Sequence, residues 1–318
     1  MRILEISQGA AASYAGVLLT ELQSEVDWID QREDPSEDDS FLHRDKSRLK
    51  TLGDMAIYDA IVEDVGSSGL KKLGHSYAAL KQLHPDLVIV SLSPFGHSGP
   101  YKDWQATDLT VQAAGGVMHV AGYDDEPPRK LPGDSAAMIA GLHGATAVTA
   151  AVYGVKTGVE TGTHIDISAQ DTFMQHWTRH VSMYAYTGAL MKRANRETKG
   201  IHGRHTAMSR DGWIYMLALR APWQDVAAFL GLGDFIEFNE DNSQPWEEME
   251  ESFHRAIAGK TRYEWFADAA EMGWTFAPVE DPFQIMNNPH AAARDFFQIR
   301  EVDGKEVLIP KLPFRWEP

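Results

Sequence analysis

The sequence predicts an α/β protein, with a large domain on a parallel, doubly wound sheet and a smaller α+β domain after it. Three observations carry that reading. Short apolar strands alternate with helical stretches from residue 2 to residue 170, and strands separated by helices imply crossovers between parallel neighbours. The stretch Ser135 to Val155, "SAAMIAGLHGATAVTAAVYGV", is free of formal charge and rich in Ala, Gly and Thr. That composition suits a helix buried inside a soluble protein better than a membrane span, which needs large aliphatics. After residue 195 the texture changes, with a hairpin-like "MSRDGWIYMLAL" and then mostly helical sequence over 222–275.

The elements follow in order. "RILEIS" reads as a strand, "AASYAGVLLTELQ" as a helix and "EVDWID" as a second strand, and "AIYDAIVEDV" joins a helix end to a strand. One helix is expected over "GLKKLGHSYAALKQL", followed by the strand "DLVIVSLS". Asp134, after Pro132-Gly133, is expected to start the 135–155 helix. In "GTHIDISAQDTFMQHW" residues 164–168 alternate, with Ile165 and Ile167 on one face; from Asp171 the apolar Phe173, Met174 and Trp177 recur at helical spacing. Asp171 therefore stands where a strand hands over to a helix, either as a cap or as a chemical group. The acidic run "EDNSQPWEEMEE" reads as a solvated face.

Composition narrows the function. With 318 residues, 43% of them hydrophobic, the chain can fill one large or two ordinary domains. The absence of cysteine excludes disulfides, thiolate catalysis and cysteine zinc sites. "MRILEISQ" reads as a strand rather than a signal peptide, so a cytoplasmic protein is expected. A net charge of −17 argues against nucleic acid and anionic membranes as partners. His176 and His180 lie i, i+4 on a helix, and His202 and His205 flank Gly203-Arg204. Neither pair has a third ligand or a glutamate in its motif, so no metal site is expected.

Ligands of open α/β sheets bind where loops leave the carboxyl ends of the strands. Those loops begin at Ser7-Gln8-Gly9, Asp30-Gln31-Arg32, Asp64-Val65-Gly66, Ser93-Pro94-Phe95-Gly96 and Ser168 to Asp171. Three carry glycine and could offer backbone N–H groups to a phosphate or an oxyanion. Gly9 and Asp30 are spaced as in a dinucleotide site, but Ala11 and Tyr14 occupy positions where that fingerprint needs glycine. Arg32, Arg44, Lys46, Arg48, Lys50, Lys71 and Lys72 form a locally basic stretch in an acidic chain, as a ligand with several phosphates requires.

Taken together, "ILEIS…AAASYAGVLLTEL…DWID", "GLKKLGHSYAALKQLHPDLVIVSLSPFGHSGPY", "TDLTVQAAGGVM", "LPGDSAAMIAGLHGATAVTAAVYGVKTG", "GTHIDISAQD" and "PVEDPFQIMNNPHAAARDFFQIRE" resemble the class III coenzyme A transferases. That superfamily includes the formyl-CoA, carnitine-CoA and bile-acid-CoA transferases and the α-methylacyl-CoA racemases. The resemblance implies a Rossmann-like large domain over 1–195 to which 296–318 returns, a small domain over 196–295, and an intertwined homodimer. It also implies that CoA moves from an acyl-CoA to a carboxylic acid, with no cofactor beyond CoA as substrate. By the same resemblance Asp171 is the nucleophile. Gln8, Gly9, Ala10 and Ala11 match the first loop beside CoA and the reacting carbonyl. Arg32 and Lys72 match basic positions near the nucleotide, Asp64 and Val65 match a loop over it, and Asp108 matches an acidic position near the nucleophile. Asp166, the other carboxylate of that strand, is expected to be structural.

The chain also departs from the family pattern. Asp64-Val65 stands where relatives carry Asn-Phe or similar, and the glycine run some transferases use is reduced to Gly200 and Gly203. The racemase branch places a histidine immediately before the position matching Asp108, paired with the aspartate matching Asp134. Here that residue is Thr107, which is no base near neutral pH. A non-catalytic CoA-binding member is the other alternative.

Overall fold

In a computed structural model of the chain, the described residues are 1–30, 39–193, 205–218, 221–237, 246–302 and 304–315. The chain divides into two compact units. One comprises Met1–Arg196, Glu301–Glu306 and Lys311–Pro318, and the other Glu197–Arg300 and Val307–Pro310.

The strands of the first unit are β1 (Arg2–Ser7), β2 (Glu25–Asp30), β3 (Ser47–Arg48), β4 (Ala60–Glu63), β5 (Val88–Ser93) and β6 (His164–Ser168). They form one sheet in the order β3-β2-β1-β4-β5-β6, with every neighbour pair parallel. Its helices are α1 (Ala10–Glu21), α2 (Asp39–Leu42), α3 (Gly66–Lys72), α4 (Tyr77–Leu83), α5 (Asp108–Ala114), α6 (Val117–Val120), α7 (Ser135–Lys156), α8 (Ala169–His176) and α9 (Thr178–Thr187). The central strands β1, β4 and β5 are mostly apolar and buried on both faces because both are covered. Ile3, Ala60, Val62, Val88, Val90 and Leu92 face the core shared with α1 and α7. The alternate residues Leu4, Ile6, Ile61 and Ile89 face a second core that contains Leu70 and Leu80 of α3 and α4, as a period of two dictates.

The predicted helix over 69–83 is two helices. Gly74 adopts φ +83°, a left-handed conformation that glycine alone takes without strain, and Ser76 accepts the Ala79 N–H as a fresh N-cap. The 135–155 helix forms, but only one of its faces is buried. Ala136, Ala140, Gly141, Gly144, Ala145, Val148 and Val152 are buried, while Leu142 and Tyr153 are 50% and 70% exposed. The glycines on its inner face permit close approach. A Cβ on Gly141 would lie 2.5 Å from the Ala11 carbonyl oxygen, and one on Gly144 would lie 3.3 Å from Leu92. Asp134 occupies the N-cap without a side-chain bond; that bond comes from Asp108 instead.

A buried ion pair ties β1 to the segment that precedes β3. Glu5 and Lys46 have fully buried side chains; Lys46 Nζ donates to Glu5 Oε2 at 2.5 Å and to the Ser13 carbonyl at 2.8 Å. Burial pushes the Glu5 carboxyl up and the Lys46 ammonium down, and each charge opposes the other's shift.

The second unit contains β7 (His205–Ser209), β8 (Gly212–Met216) and β9 (Ala277–Pro278) in an antiparallel sheet. Its helices are α10 (Trp223–Leu230), α11 (Trp246–Ile257), α12 (Arg262–Glu271), α13 (Pro282–Met286) and α14 (Pro289–Ala293). Its core gathers Ile214, Val226, Leu230, Met249, Phe253 and Trp265. Finally, β10 (Phe297–Val302) and β11 (Lys305–Pro310) form a two-stranded ribbon.

Replacing Gly141 by alanine should force α1 and α7 apart at the Ala11 carbonyl and cost about 1–3 kcal/mol. Gly53→Ala, with nothing within 4 Å of the added carbon, should change stability by less than about 0.5 kcal/mol. Urea denaturation of both variants checks the contrast.

Candidate functional site

The strand order reverses between β1 and β4, so the connections after these two parallel neighbours depart in opposite directions and leave a crevice at their carboxyl ends. Two cavities open there, of about 360 Å³ and about 630 Å³. Both are lined by Gln8, Asp64, Ser93, Pro94 and Ala106, so they meet at the crevice. The smaller is largely walled by alanine, including Ala10, Ala11, Ala136 and Ala140. The larger is polar, with Ser67, Tyr77, His97, Lys102 and His164 in its wall.

The β1–α1 loop is built around a carboxylate from β4's end. Asp64 Oδ1 accepts the Gln8 N–H at 2.7 Å, and Asp64 Oδ2 accepts the Ala12 N–H at 3.2 Å. Gln8 Nε2 donates to the Asp64 carbonyl at 2.8 Å. Gly9 fits closely, since a Cβ there would come within 3.2 Å of Asp64 Oδ2. Gly9 caps α1 without a side-chain bond, so Asp64 does the work of an N-cap from another strand. Ala10 and Ala11, in the first turn of α1, line the smaller cavity, and first-turn N–H groups have no partner within their helix. Burial raises Asp64 to about 7, opposed by its two backbone hydrogen bonds and reinforced by Glu63 and Glu5.

Asp108 also lines the smaller cavity. Its Oδ1 accepts the Ala136 N–H at 2.7 Å, and its Oδ2 accepts Gln112 Nε2 at 2.6 Å and Lys130 Nζ at 3.1 Å. It therefore caps α7 from α5. Thr107, beside it, is occupied in a capping box on α5.

Asp171 lies in the first turn of α8, where Ser168 is the cap and its Oγ accepts the Asp171 N–H at 3.1 Å. Asp171 is thus not the cap, which answers the question its position in the sequence raised. Ala169, two residues earlier, lines the smaller cavity, whereas Asp171 is exposed and does not. Its neighbour Gln170 ties the turn in place, its N–H donating to the Pro94 carbonyl and its side chain to the Ala114 carbonyl. Asp166 accepts the His97 N–H at 2.8 Å, a structural bond as expected.

The remaining expected residues divide. Val65 is buried and lines the larger cavity. Lys72 is exposed at the end of α3 and lines neither cavity. Arg32 lies outside the described residues, as do Gly200 and Gly203. Of the basic stretch, three described members are engaged within the protein, while Lys50, Lys71 and Lys72 are exposed. Lys46 is buried against Glu5, Arg44 pairs with Glu21 at 3.3 Å, and the Arg48 guanidinium lies over the Trp28 ring.

Sequence reasoning missed a polar chain in the wall of the larger cavity. His164 Nε2 lies 2.8 Å from Ser91 Oγ, which donates to Tyr77 OH at 3.3 Å, and Tyr77 OH donates to Glu63 Oε1 at 2.7 Å. Burial and the Glu63 charge hold the Tyr77 hydroxyl protonated well above its ordinary range, and burial lowers His164. The available signal was the polar Glu63 and Ser91 inside otherwise apolar strands.

The sequence profile of CoA-transferase family III matches residues 45–318. The chain is 25% identical over 299 residues to acetyl-CoA:oxalate CoA-transferase of Acetobacter aceti, covering 87% of this chain and 74% of that protein. It is 26% identical over 277 residues to succinyl-CoA:(R)-benzylsuccinate CoA-transferase subunit BbsE of Thauera aromatica, covering 81% and 66%. In fold it is similar to a CAIB/BAIF family protein from Brucella suis, with a TM-score of 0.81 at 21% identity over 99% of this chain and 91% of that one.

Asp108→Ala would leave the Ala136 N–H without its cap and should cost about 1–2 kcal/mol of stability. Asp108→Asn, which keeps one acceptor, should cost less. Chemical denaturation ranks the two.

Proposed function

The chain belongs to CoA-transferase family III, and on that premise we propose that it moves CoA from an acyl-CoA to a carboxylic acid through an aspartyl-CoA thioester on Asp171. The observation that supports this most directly is the place of "DISAQD", whose last residue sits in the first turn of the helix that opens on the crevice.

A carboxylate oxygen of Asp171 attacks the thioester carbonyl carbon of the donor. The carbon–sulfur bond breaks, leaving a mixed anhydride and the CoA thiolate. That thiolate attacks the Asp171 carbonyl of the anhydride, forming the aspartyl-CoA thioester and releasing the donor carboxylate. The acceptor carboxylate then attacks the aspartyl thioester, and the freed thiolate takes the acceptor's acyl group, restoring Asp171. No electrons leave the reactants, so CoA is the only cofactor-like molecule the sequence of steps requires. N–H groups in the first turn of α1 are suited to stabilise the oxyanion at each addition.

A carboxylate open to water is a weak nucleophile, so Asp171 needs cover. We propose that a second copy of the chain supplies it. The exposed Met174 and Val181 of α8 and α9, with Leu142 and Tyr153 of α7, give an apolar surface for such a homodimer. The cytoplasm is the expected compartment for exchange among acyl-CoA thioesters.

Asp171→Ala should lower CoA exchange by at least about a thousandfold while leaving the circular dichroism spectrum unchanged. Incubation of the wild type with a competent acyl-CoA and no acceptor should add a CoA-sized mass to the Asp171 peptide, removable by hydroxylamine. Turnover that leaves Asp171 unlabelled on rapid quench would require a direct ternary-complex mechanism. Light scattering at low micromolar concentration should show a dimer, and a monomer there would overturn the proposed cover.

A further inference from the structure

We propose that Asp64 is a positioning residue for the transfer reaction, and that its ionisation sets the geometry of the β1–α1 loop beside the reacting carbonyl. The proposal rests on the transferase reading given above. A carboxylate in a cleft for a polyphosphate ligand is costly if it faces the ligand, because like charges repel. Here the carboxylate faces the protein. Its two oxygens hold the Gln8 and Ala12 N–H groups at 2.7 and 3.2 Å, at either end of the segment Gly9-Ala10-Ala11. The Gln8 side chain is fixed by the same residue through its carbonyl oxygen. Asp64 therefore occupies the anion position at the end of α1 and leaves the first-turn N–H groups of Ala10 and Ala11 for substrate.

Holding both ends at once requires both oxygens as acceptors. The ionised carboxylate provides two, whereas the protonated acid turns one oxygen into a hydroxyl donor. The charged neighbours are Glu63 on β4, whose carboxylate takes the Gly66 N–H and the Tyr77 hydroxyl; Glu5 on β1; and Lys46, whose ammonium faces Glu5. Burial, opposed by the two backbone hydrogen bonds and reinforced by repulsion from the two glutamates, raises Asp64 to about 7. The loop is therefore pinned at both ends above that pH and at one end below it.

The effect on stability has the opposite sign. The folded pKa lies above the ordinary 3.8, so between about pH 4 and 7 the native state keeps a proton that the unfolded chain has lost. This group's contribution to stability is largest below that window and falls as pH rises through it.

Amide hydrogen exchange on the full-length protein at about pH 6 and about pH 8, corrected for intrinsic rates, tests the geometry without any substrate. Protection at Gln8 and Ala12 should rise about tenfold across that interval in the wild type. It should be flat in Asp64→Asn. In activity, kcat/KM for acyl exchange should rise through pH 7 in the wild type while the calorimetric affinity for CoA stays level. Asp64→Asn should lose that step and about tenfold or more in kcat/KM, with CoA affinity held within threefold. A pH step in protection that survives in Asp64→Asn, or no step in the wild type, would overturn the proposal. A loss of CoA affinity parallel to the loss of rate would also overturn it, by making Asp64 a ligand contact. If the wild type exchanged CoA between no pair of acids, the transferase reading would fall, and the amide protection would still decide the role of Asp64.

Discussion

The site depends on the reversal of strand order between β1 and β4. Two parallel neighbours send their chains to opposite sides, so no connection crosses the gap at their carboxyl ends. Backbone groups that face such a gap must find partners across it or present themselves to a ligand. Asp64 is the bridge, reaching from the end of β4 to the loop after β1. The alanine walls follow from the same constraint. Small residues on α1 and α7 let these helices approach closely enough for their ends to border one crevice.

Much of this architecture was legible in the sequence because parallel strands are nearly continuous apolar runs and their helices repeat at 3.6 residues. The split at Gly74 was not, since the apolar pattern continues through it and only the backbone conformation breaks. The half-exposed face of α7 was hidden for a related reason: alanine and glycine satisfy a helix on either side, so composition alone does not say how many sides are covered.

The site was readable as a set of loops but not as a set of bonds. Gln8, Gly9, Ala10, Ala11, Asp64, Val65 and Asp108 all come to the cavities. The resemblance brought out their positions but not their bonds, because Asp64 and Asp108 direct their oxygens at backbone N–H groups far away in sequence. Charge counting misled at Lys46. A lysine reads as a solvated cation from sequence, yet Lys46 has its partner on a strand forty-one residues earlier. The polar chain from His164 to Glu63 escaped because each member looks ordinary alone and gains meaning only through strand pairing.

The pair of Glu5 and Lys46 also bears on how this sequence can change over generations. Gly16 leaves the space the pair occupies, for a Cβ there would lie 1.9 Å from Glu5 Oε2 and 2.8 Å from Lys46 Nζ. Removing Glu5 alone strands the Lys46 ammonium in the core. Removing Lys46 alone leaves the buried Glu5 carboxylate with His43 at 3.5 Å in place of its lysine. Either change costs about 3–5 kcal/mol. Enlarging Gly16 alone collides with both. An all-apolar version of the same spot can be equally stable, but it lies two or three simultaneous substitutions away, across intermediates that fold poorly. The three positions are therefore inherited as a block, and drift at one is closed until all are exchanged together.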